Sequence, residues 1–310
     1  MNANDIRHRA KQVLFNRGMR MNLPYRMLRT AAETIDVVAD LRDTMHRRKL
    51  ARELSDRSAW RGFISRKDGY RRLASGEIPS IAVLLEAAQD IAKRTVPLAP
   101  AVPKPPSTFT QMMTAEEMQR HPEILDIATE GPLVEAAADY LGFYPRLYYV
   151  GLWLSRRMPA LSGSQLYHLD QPDTGMLSLF LNVNDVTEDN GPFFFYDARS
   201  SARVRAETDY ERRSYIDNAV RGEELGRLND SAVEQLTGTP PIKLTGPAGS
   251  AAFVDTSVCM HAGSRCASGE RVMFVLRYMP PHRGMFRPDP VLEVPVTWND
   301  RRRLMVLGRA

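Results

Sequence analysis

Two histidines and one carboxylate carry the chemistry that this sequence suggests first. In Gln165-Leu166-Tyr167-His168-Leu169-Asp170 a histidine and an aspartate stand two residues apart. Side chains alternate with period two in extended chain, so the pair points to one side. A second imidazole, His261, follows far downstream. Two His and one carboxylate leave three positions open on a six-coordinate metal, the arrangement of non-haem Fe(II) sites that handle O2. A His-x-Asp triplet alone arises by chance in a chain of 310 residues, so its surroundings must decide. Of the other histidines, His8 and His46 sit in basic helical sequence and His121 precedes a proline near a helix start, which suits surface positions. His282 falls in a proline loop.

The stretch from His261 to Arg271 (HAGSRCASGER) adds a further element. Its turn-rich middle is expected to return the chain so that Arg271 opens a strand beside the one ending at His261. Arginine offers a rigid fork suited to a carboxylate, and an apolar interior strengthens that pairing. A metal with open sites and an inward arginine can together hold a 2-oxo acid. Arg277, six residues on and on the same strand face, is the natural competitor for that role.

These residues need strands to position them, and the strand formers lie in the second half of the chain. Residues 147–154, 176–184, 193–196, 251–255 and 271–278 are short runs rich in β-branched and aromatic residues, separated by turns such as Gly191-Pro192 and Pro247-Ala248-Gly249. Short strands without helices between most of them argue for a sandwich or barrel. Residues 206–237 interrupt them with a helical pattern, an insertion that suits either a lid folded over the barrel mouth or a surface decoration. Ahead of the strands, residues 5–20, 23–54 and 79–94 read as helices, Thr114 as a helix cap, and 131–140 as a helix closed by Gly142. Residues 58–72 read as irregular, and the five prolines of 97–106 as an extended connection.

Composition is that of a globular protein, 43% hydrophobic and 25% charged, with no apolar run long enough to span a membrane. The first residues lack the apolar core of a signal peptide, and Cys259 and Cys266 form no disulfide framework, so a cytoplasmic location with two small buried thiols is expected. Residues 1–72 hold 18 Lys and Arg against 8 Asp and Glu, a surplus of ten positive charges. That surplus fits a solvated helical face or an anionic partner, and no recognisable nucleic-acid module accompanies it.

His168-Leu169-Asp170, the strand and turn Leu179-Phe180-Leu181-Asn182-Val183-Asn184-Asp185-Val186-Thr187-Glu188-Asp189-Asn190-Gly191-Pro192, and His261 with Arg271 ten residues on resemble the phytanoyl-CoA dioxygenase-like family of Fe(II)/2-oxoglutarate oxygenases. The resemblance spans roughly residues 110–280, and Asp139-Tyr140-Leu141-Gly142 shares in it. It implies a mainly β fold with flanking helices: a double-stranded β-helix (a jelly-roll, cupin-like barrel) within one domain over 1–310. Residues 1–106 then form a basic helical region and proline-rich connection, and 107–310 the barrel with its helical insertion. It implies His168, Asp170 and His261 as iron ligands and Arg271 as the anchor of the 2-oxoglutarate C5 carboxylate. Ser264, Gln165, Ser155 and Phe180 are implied near the cosubstrate. Two departures stand out. The family often carries a hydroxyl two residues after the distal histidine, where this chain has Gly263, and its Pro-Gly-Ser-His after the third strand is replaced by Tyr196-Asp197-Ala198-Arg199-Ser200.

The implied reaction uses Fe(II), 2-oxoglutarate and O2, releases succinate and CO2, and hydroxylates an aliphatic C–H bond. Related halogenases lack the carboxylate, so Asp170 favours hydroxylation, with desaturation, ring closure and epoxidation left open by substrate pose. The substrate expected is a small molecule, an amino acid or a carrier- or CoA-bound group, possibly anionic, in secondary metabolism. Three alternatives compete: a metal-free barrel with a degenerate site used for binding, a cupin-like metal isomerase or hydrolase, and an oxygenase acting on nucleic acid. Intact ligands oppose the first, and the arginine ten residues on is unexplained by the second.

Overall fold

The computed structural model describes residues 3–307 except 22, 24, 101–106, 159, 171–174, 211–226 and 281–296. Nine strands are described: β1 (Tyr70–Leu73), β2 (Thr110–Gln111), β3 (Arg146–Ser155), β4 (Leu177–Asn182), β5 (Phe193–Phe195), β6 (Ile242–Leu244), β7 (Ala251–Asp255), β8 (His261–Ala262) and β9 (Arg271–Met279). They form a six-stranded sheet in the order β1-β7-β4-β9-β3-β2 and a three-stranded sheet in the order β6-β5-β8. All their pairings are antiparallel. His168 bridges His261 and so adds the segment around it to the small sheet. From β3 onward the chain crosses repeatedly between the sheets: β3 large, His168 small, β4 large, β5 and β6 small, β7 large, β8 small, β9 large. Such a path winds a double-stranded β-helix with its cavity between the sheets.

The phase of the large sheet decides what faces that cavity. Val272, Phe274, Leu276 and Tyr278 of β9 share one cluster with Leu177, Leu179 and Leu181 of β4, Phe253 of β7 and Leu152 and Leu154 of β3. Helices α4 (Ser80–Thr95), α6 (Pro122–Thr129) and α7 (Pro132–Leu141), so labelled by their place in the chain, add Leu84, Ala88, Ile91, Ile124, Leu133 and Ala137 to it. Each buried Leu, Ile, Val or Phe among them contributes about 1.5–3 kcal/mol. The alternate residues, Phe180, Ala252, Val254, Met273 and Val275, pack in a second cluster with Phe193 and Phe195 of the small sheet. Arg271 and Arg277 share the phase of Met273, and the helix layer thereby turns two arginines inward.

The turn after β4 explains why its sequence is so particular. Asn190 Oδ1 accepts from Thr187 N (2.7 Å), Asp189 O accepts from Ala267 N (2.7 Å) and Ser268 N (3.1 Å), and Asn184 Oδ1 accepts from Val272 N (2.7 Å). The motif therefore clamps the chain between His261 and Arg271. Gly191 sits at φ +81°, where an added Cβ would lie 2.7 Å from Cys266 Sγ and 2.9 Å from Cys266 N.

Several expectations change. Residues 23–54 are two helices, Tyr25–Ala39 and Leu41–Ser55, broken at Asp40, whose backbone (φ −119°, ψ 39°) is not helical. The irregular 58–72 ends in β1, an edge strand paired to β7, and Val96–Leu98 is a short 3-10 turn instead of extended chain. The first helix of the insertion begins at Ala198, because Asp197 caps it by accepting from Ser200 N at 2.8 Å. A second helix follows at Asp230–Thr237, while 211–226, the middle of the expected lid, lies outside the described residues. Thr114 does cap its helix, and Gly142 closes α7 at φ +72°. The basic N-terminal region is not all solvated. Lys11 pairs with Asp36 at 2.8 Å with both side chains buried, and Arg47, fully buried, donates to Tyr144 O and Leu304 O. Among the described residues no helix is long and apolar enough to cross a membrane.

A Gly191→Ala substitution is expected to lower unfolding free energy by roughly 2–4 kcal/mol, the left-handed backbone and the overlap with Cys266 acting together. Urea denaturation measures this as a lower midpoint at an unchanged slope.

Candidate metal centre

His168 and His261 are held together by main chain. His168 N donates to His261 O and His261 N to His168 O, both at 2.9 Å, which sets their rings 4.3 Å apart. Asp170 N donates to Thr256 O (2.8 Å), and the His-x-Asp phase brings its carboxylate to the same side. One ligand atom from each of the three residues lies within 4.8 Å of the others. Asp170 Oδ1 is 3.9 Å from His168 Nε2, and Oδ2 is 3.8 Å from His261 Nε2. These gaps are too long for hydrogen bonds and suit donors that surround a common ion.

Protonation is arranged to match. His168 Nδ1 lies 2.8 Å from Leu166 O, and His261 Nδ1 lies 3.0 Å from Cys259 O. A carbonyl only accepts, so each Nδ1 carries the proton and each Nε2 presents a lone pair to the centre. Burial pushes both imidazole pKa values down, that of His168 well below its ordinary value, so the rings are neutral. Burial alone would raise the Asp170 carboxyl, but the charge of the Arg277 guanidinium works against this and holds the group ionised. Arg277 Nη2 is 3.1 Å from Asp170 Oδ2, too poorly aligned for a hydrogen bond, and that oxygen has no hydrogen-bond partner among the described residues. Two neutral nitrogens and a bare carboxylate oxygen form a donor set that fits a divalent cation.

A second unfilled group lies further along the cavity. Arg271, 2% exposed, donates through Nη2 to Ser155 Oγ (3.1 Å) and Ser264 Oγ (3.0 Å), and Ser155 Oγ donates to Ser264 Oγ (2.9 Å). Ser155 is its direct cross-strand neighbour on β3. Ser264 reaches it from a left-handed backbone at φ +63°, an uncommon conformation for serine. Nε and Nη1 of Arg271 are buried with no hydrogen-bond partner, and none of the described acids pairs with it. Burial pushes its pKa down to about 10, so it remains charged at neutral pH.

The cavity, about 350 Å³, is lined by His168, Asp170, His261, Ser264, Arg271 and Phe180 from the predicted set. Phe180 stacks on Phe193 (centroids 4.0 Å, 21°), and Phe193 lies 5.6 Å from the His261 ring. Gln165 and Ser155 do not line it. The Gln165 amide donates to Ser264 O (2.7 Å) and accepts from Ser162 N (3.2 Å), so it positions the Ser264 loop. Ser155 acts through Arg271. The strand opened by Arg271 is not beside β8: β9 pairs with β3 and β4 in the large sheet, and β8 with β5 in the small one, so the two face each other across the cavity. Gly263, where a hydroxyl was expected, passes close to the arginine; an added Cβ would lie 3.4 Å from Arg271 Nη1. Arg277 also lines the cavity, at Asp170. Sequence reasoning missed Phe109, Trp153, Arg227 and Met273, although Trp153 and Met273 stand in phase with Ser155 and Arg271. His46 is exposed, whereas His121 is part-buried between Asp90 and Glu123, away from the cavity, and His282 lies outside the described residues. Both cysteines are buried and free.

No family model matches this chain, and none of the curated proteins does. Among solved structures it is similar to SnoK, a non-heme alpha ketoglutarate dependent carbocyclase from nogalamycin biosynthesis, at 16% identity over 73% of this chain and 85% of that one, with a TM-score of 0.46. It is similar to EctD from S. alaskensis with bound Fe at 17% identity, over 78% and 80% of the chains, TM-score 0.45. HygX from Streptomyces hygroscopicus, with nickel and 2-oxoglutarate bound, gives 13% identity over 74% and 90%, TM-score 0.45. Likenesses this distant assign no activity and no site; those are argued from the geometry of this chain.

His168→Ala and Asp170→Ala are each expected to abolish stoichiometric Fe(II) binding, measured anaerobically by equilibrium dialysis. Unchanged iron affinity in either variant would remove that residue from the ligand set.

Proposed function

We propose that the chain is a non-haem Fe(II)/2-oxoglutarate-dependent oxygenase, with His168, Asp170 and His261 holding the iron and Arg271 the far carboxylate of the cosubstrate. The observation that carries this reading is the pairing of two incomplete sites in one cavity. A three-donor group has its lone pairs aimed inward, and a buried guanidinium has two nitrogens bare. A 2-oxo dicarboxylic acid completes both: its keto acid end chelates a cation, and its other carboxylate matches the arginine fork.

Bound iron supplies the activation of O2 that couples oxidative decarboxylation of the 2-oxo acid to attack on a C–H bond. This chain's residues do the rest. The backbone carbonyls of Leu166 and Cys259 fix the imidazole tautomers, and Arg277 keeps Asp170 ionised. Ser155 and Ser264 orient the Arg271 fork. Phe180, Phe193 and Met273 make the interior apolar, which excludes water and strengthens each ionic contact there. Two His with one Asp favour hydroxylation over halogenation, since Asp170 occupies the position a halide would need. The substrate class that fits is a small or carrier-bound molecule offering an aliphatic C–H.

The experiment is anaerobic addition of Fe(II) and then 2-oxoglutarate, watching for the visible charge-transfer band of the chelate. The band is expected in the parent protein and absent without either component; its absence from the loaded parent would overturn the reading. Arg271→Ala is expected to weaken 2-oxoglutarate binding roughly 30-fold or more, since truncating one side of a buried charge pair costs about 2 kcal/mol or more. Parent affinity in that variant would move the anchor to Arg277.

A further inference from the structure

The cavity holds more positive charge than an iron site and a 2-oxo dicarboxylate need. Arg227, Arg271 and Arg277 all line it, while Asp170 is the one acidic lining residue among the described residues. With the imidazoles neutral, a divalent cation and a dianionic 2-oxo acid offset each other. Three guanidinium charges then face one carboxylate among the described residues, a surplus of two.

Arg227 and Arg277 lie apart from the 2-oxo acid anchor, and each is incompletely bonded, Arg277 meeting Asp170 through Nη2 alone. Arg277 Nε and Arg227 Nη1 are buried without a hydrogen-bond partner among the described residues. Arg277 is six residues from Arg271 on the same face of β9, roughly 20 Å along the strand between Cα atoms. That separation gives it a part of the cavity distinct from the Ser155–Ser264 end. Arg277 Nη2 lies 3.1 Å from Asp170 Oδ2, and Arg227 lines the same cavity as His168, Asp170 and His261, so both border the three-donor group. Beside them stands an aromatic wall: Phe109 stacks on Trp153 (4.4 Å, 22°), and the Arg277 guanidinium lies 5.5 Å from the Trp153 ring and 5.7 Å from Tyr149. Ser107, Thr108 and Ser164 also line the cavity, with the Thr108 and Ser164 hydroxyls hydrogen-bonded to each other.

We propose that the primary substrate of this site carries an anionic group, a carboxylate or an acid of like charge, held by Arg227 with Arg277, and an apolar body lying against Phe109, Trp153 and Met273. The inference rests on the oxygenase reading and names the substrate class for it. A charged anchor at one end of the substrate and an aromatic face along its length fix which carbon approaches the metal centre. Arg277 serves twice, holding Asp170 through Nη2 and offering Nε to the substrate. Arg227 is free of the ligand set, which makes it the residue to vary.

The test compares 3-phenylpropanoate with 3-phenylpropanamide, which share an aromatic body and differ in charge. Each is titrated calorimetrically into the full chain loaded with Ni(II) and saturated with 2-oxoglutarate. The acid is expected to bind about tenfold tighter than the amide, as a charge-assisted contact provides, and Arg227→Gln is expected to bring the two to near equality. Equal affinities in the parent protein, no binding of the acid, a preference that survives Arg227→Gln, or displacement of 2-oxoglutarate by the acid would each overturn the proposal. The preceding titration with 2-oxoglutarate alone separates the two readings. If that heat is missing, the oxygenase assignment falls, and the comparison of acid with amide on protein without 2-oxoglutarate still decides the anion site.

Discussion

A guanidinium enclosed in a barrel with no acid beside it among the described residues is the constraint on which the rest of this structure turns. Removing a charge from water costs several kcal/mol unless strong partners replace the hydration, and Arg271 has two serine hydroxyls, both at Nη2. Reaching it requires Ser264 to adopt a backbone that serine seldom takes, and Gln165 and the turn from Asn184 to Gly191 then hold that loop in place. Strain, clamp and bare nitrogens all concern one group, and an anion at that point relieves the electrostatic part of the cost.

The second organising feature is the phase of β9. Its even-numbered residues from Val272 to Tyr278 are committed to the helix layer, so the odd-numbered ones have no freedom to turn away from the cavity. Arg271, Met273, Val275 and Arg277 therefore follow one another along the interior as charged, apolar, apolar, charged. One strand thus lays out a guanidinium at each end and an apolar floor between them, and the facing small sheet holds the two imidazoles. A one-residue slip of β9 would exchange the whole row for Val272, Phe274, Leu276 and Tyr278.

Much of this was legible in the sequence where a rigid period was involved. His168 and Asp170 share a side because extended chain alternates, and the strand runs, the cap at Thr114 and the stop at Gly142 follow from local chemistry. What depended on partner choice was not legible. Whether β9 lies beside β8 or across from it is decided by which sheet each joins, and nothing within HAGSRCASGER encodes that. β6 and β8, at three and two residues, are too short to show a period. Gln165 and Ser155 were recognisable as near the site, but their role is to hold Ser264 and Arg271 instead of lining the cavity. Arg277 was recognised as sharing a face with Arg271, and its contact with Asp170 emerges only when the two sheets are brought together. Arg227 gave no signal, being one arginine in a strongly charged insertion.

The paired bridge between His168 and His261 has a consequence for how the centre behaves as a receptor. Because each residue donates to the other's carbonyl, the distance between the two imidazoles is ruled by a rung of β-ladder, and the side chains inherit it. Nothing about that rung depends on an ion. The two imidazoles are therefore set apart by the backbone alone, and a cation arriving between them would meet a rigid pair with one adjustable arm, Asp170. Discrimination between cations of different radius then falls to that single carboxylate and to Arg277, which restrains it.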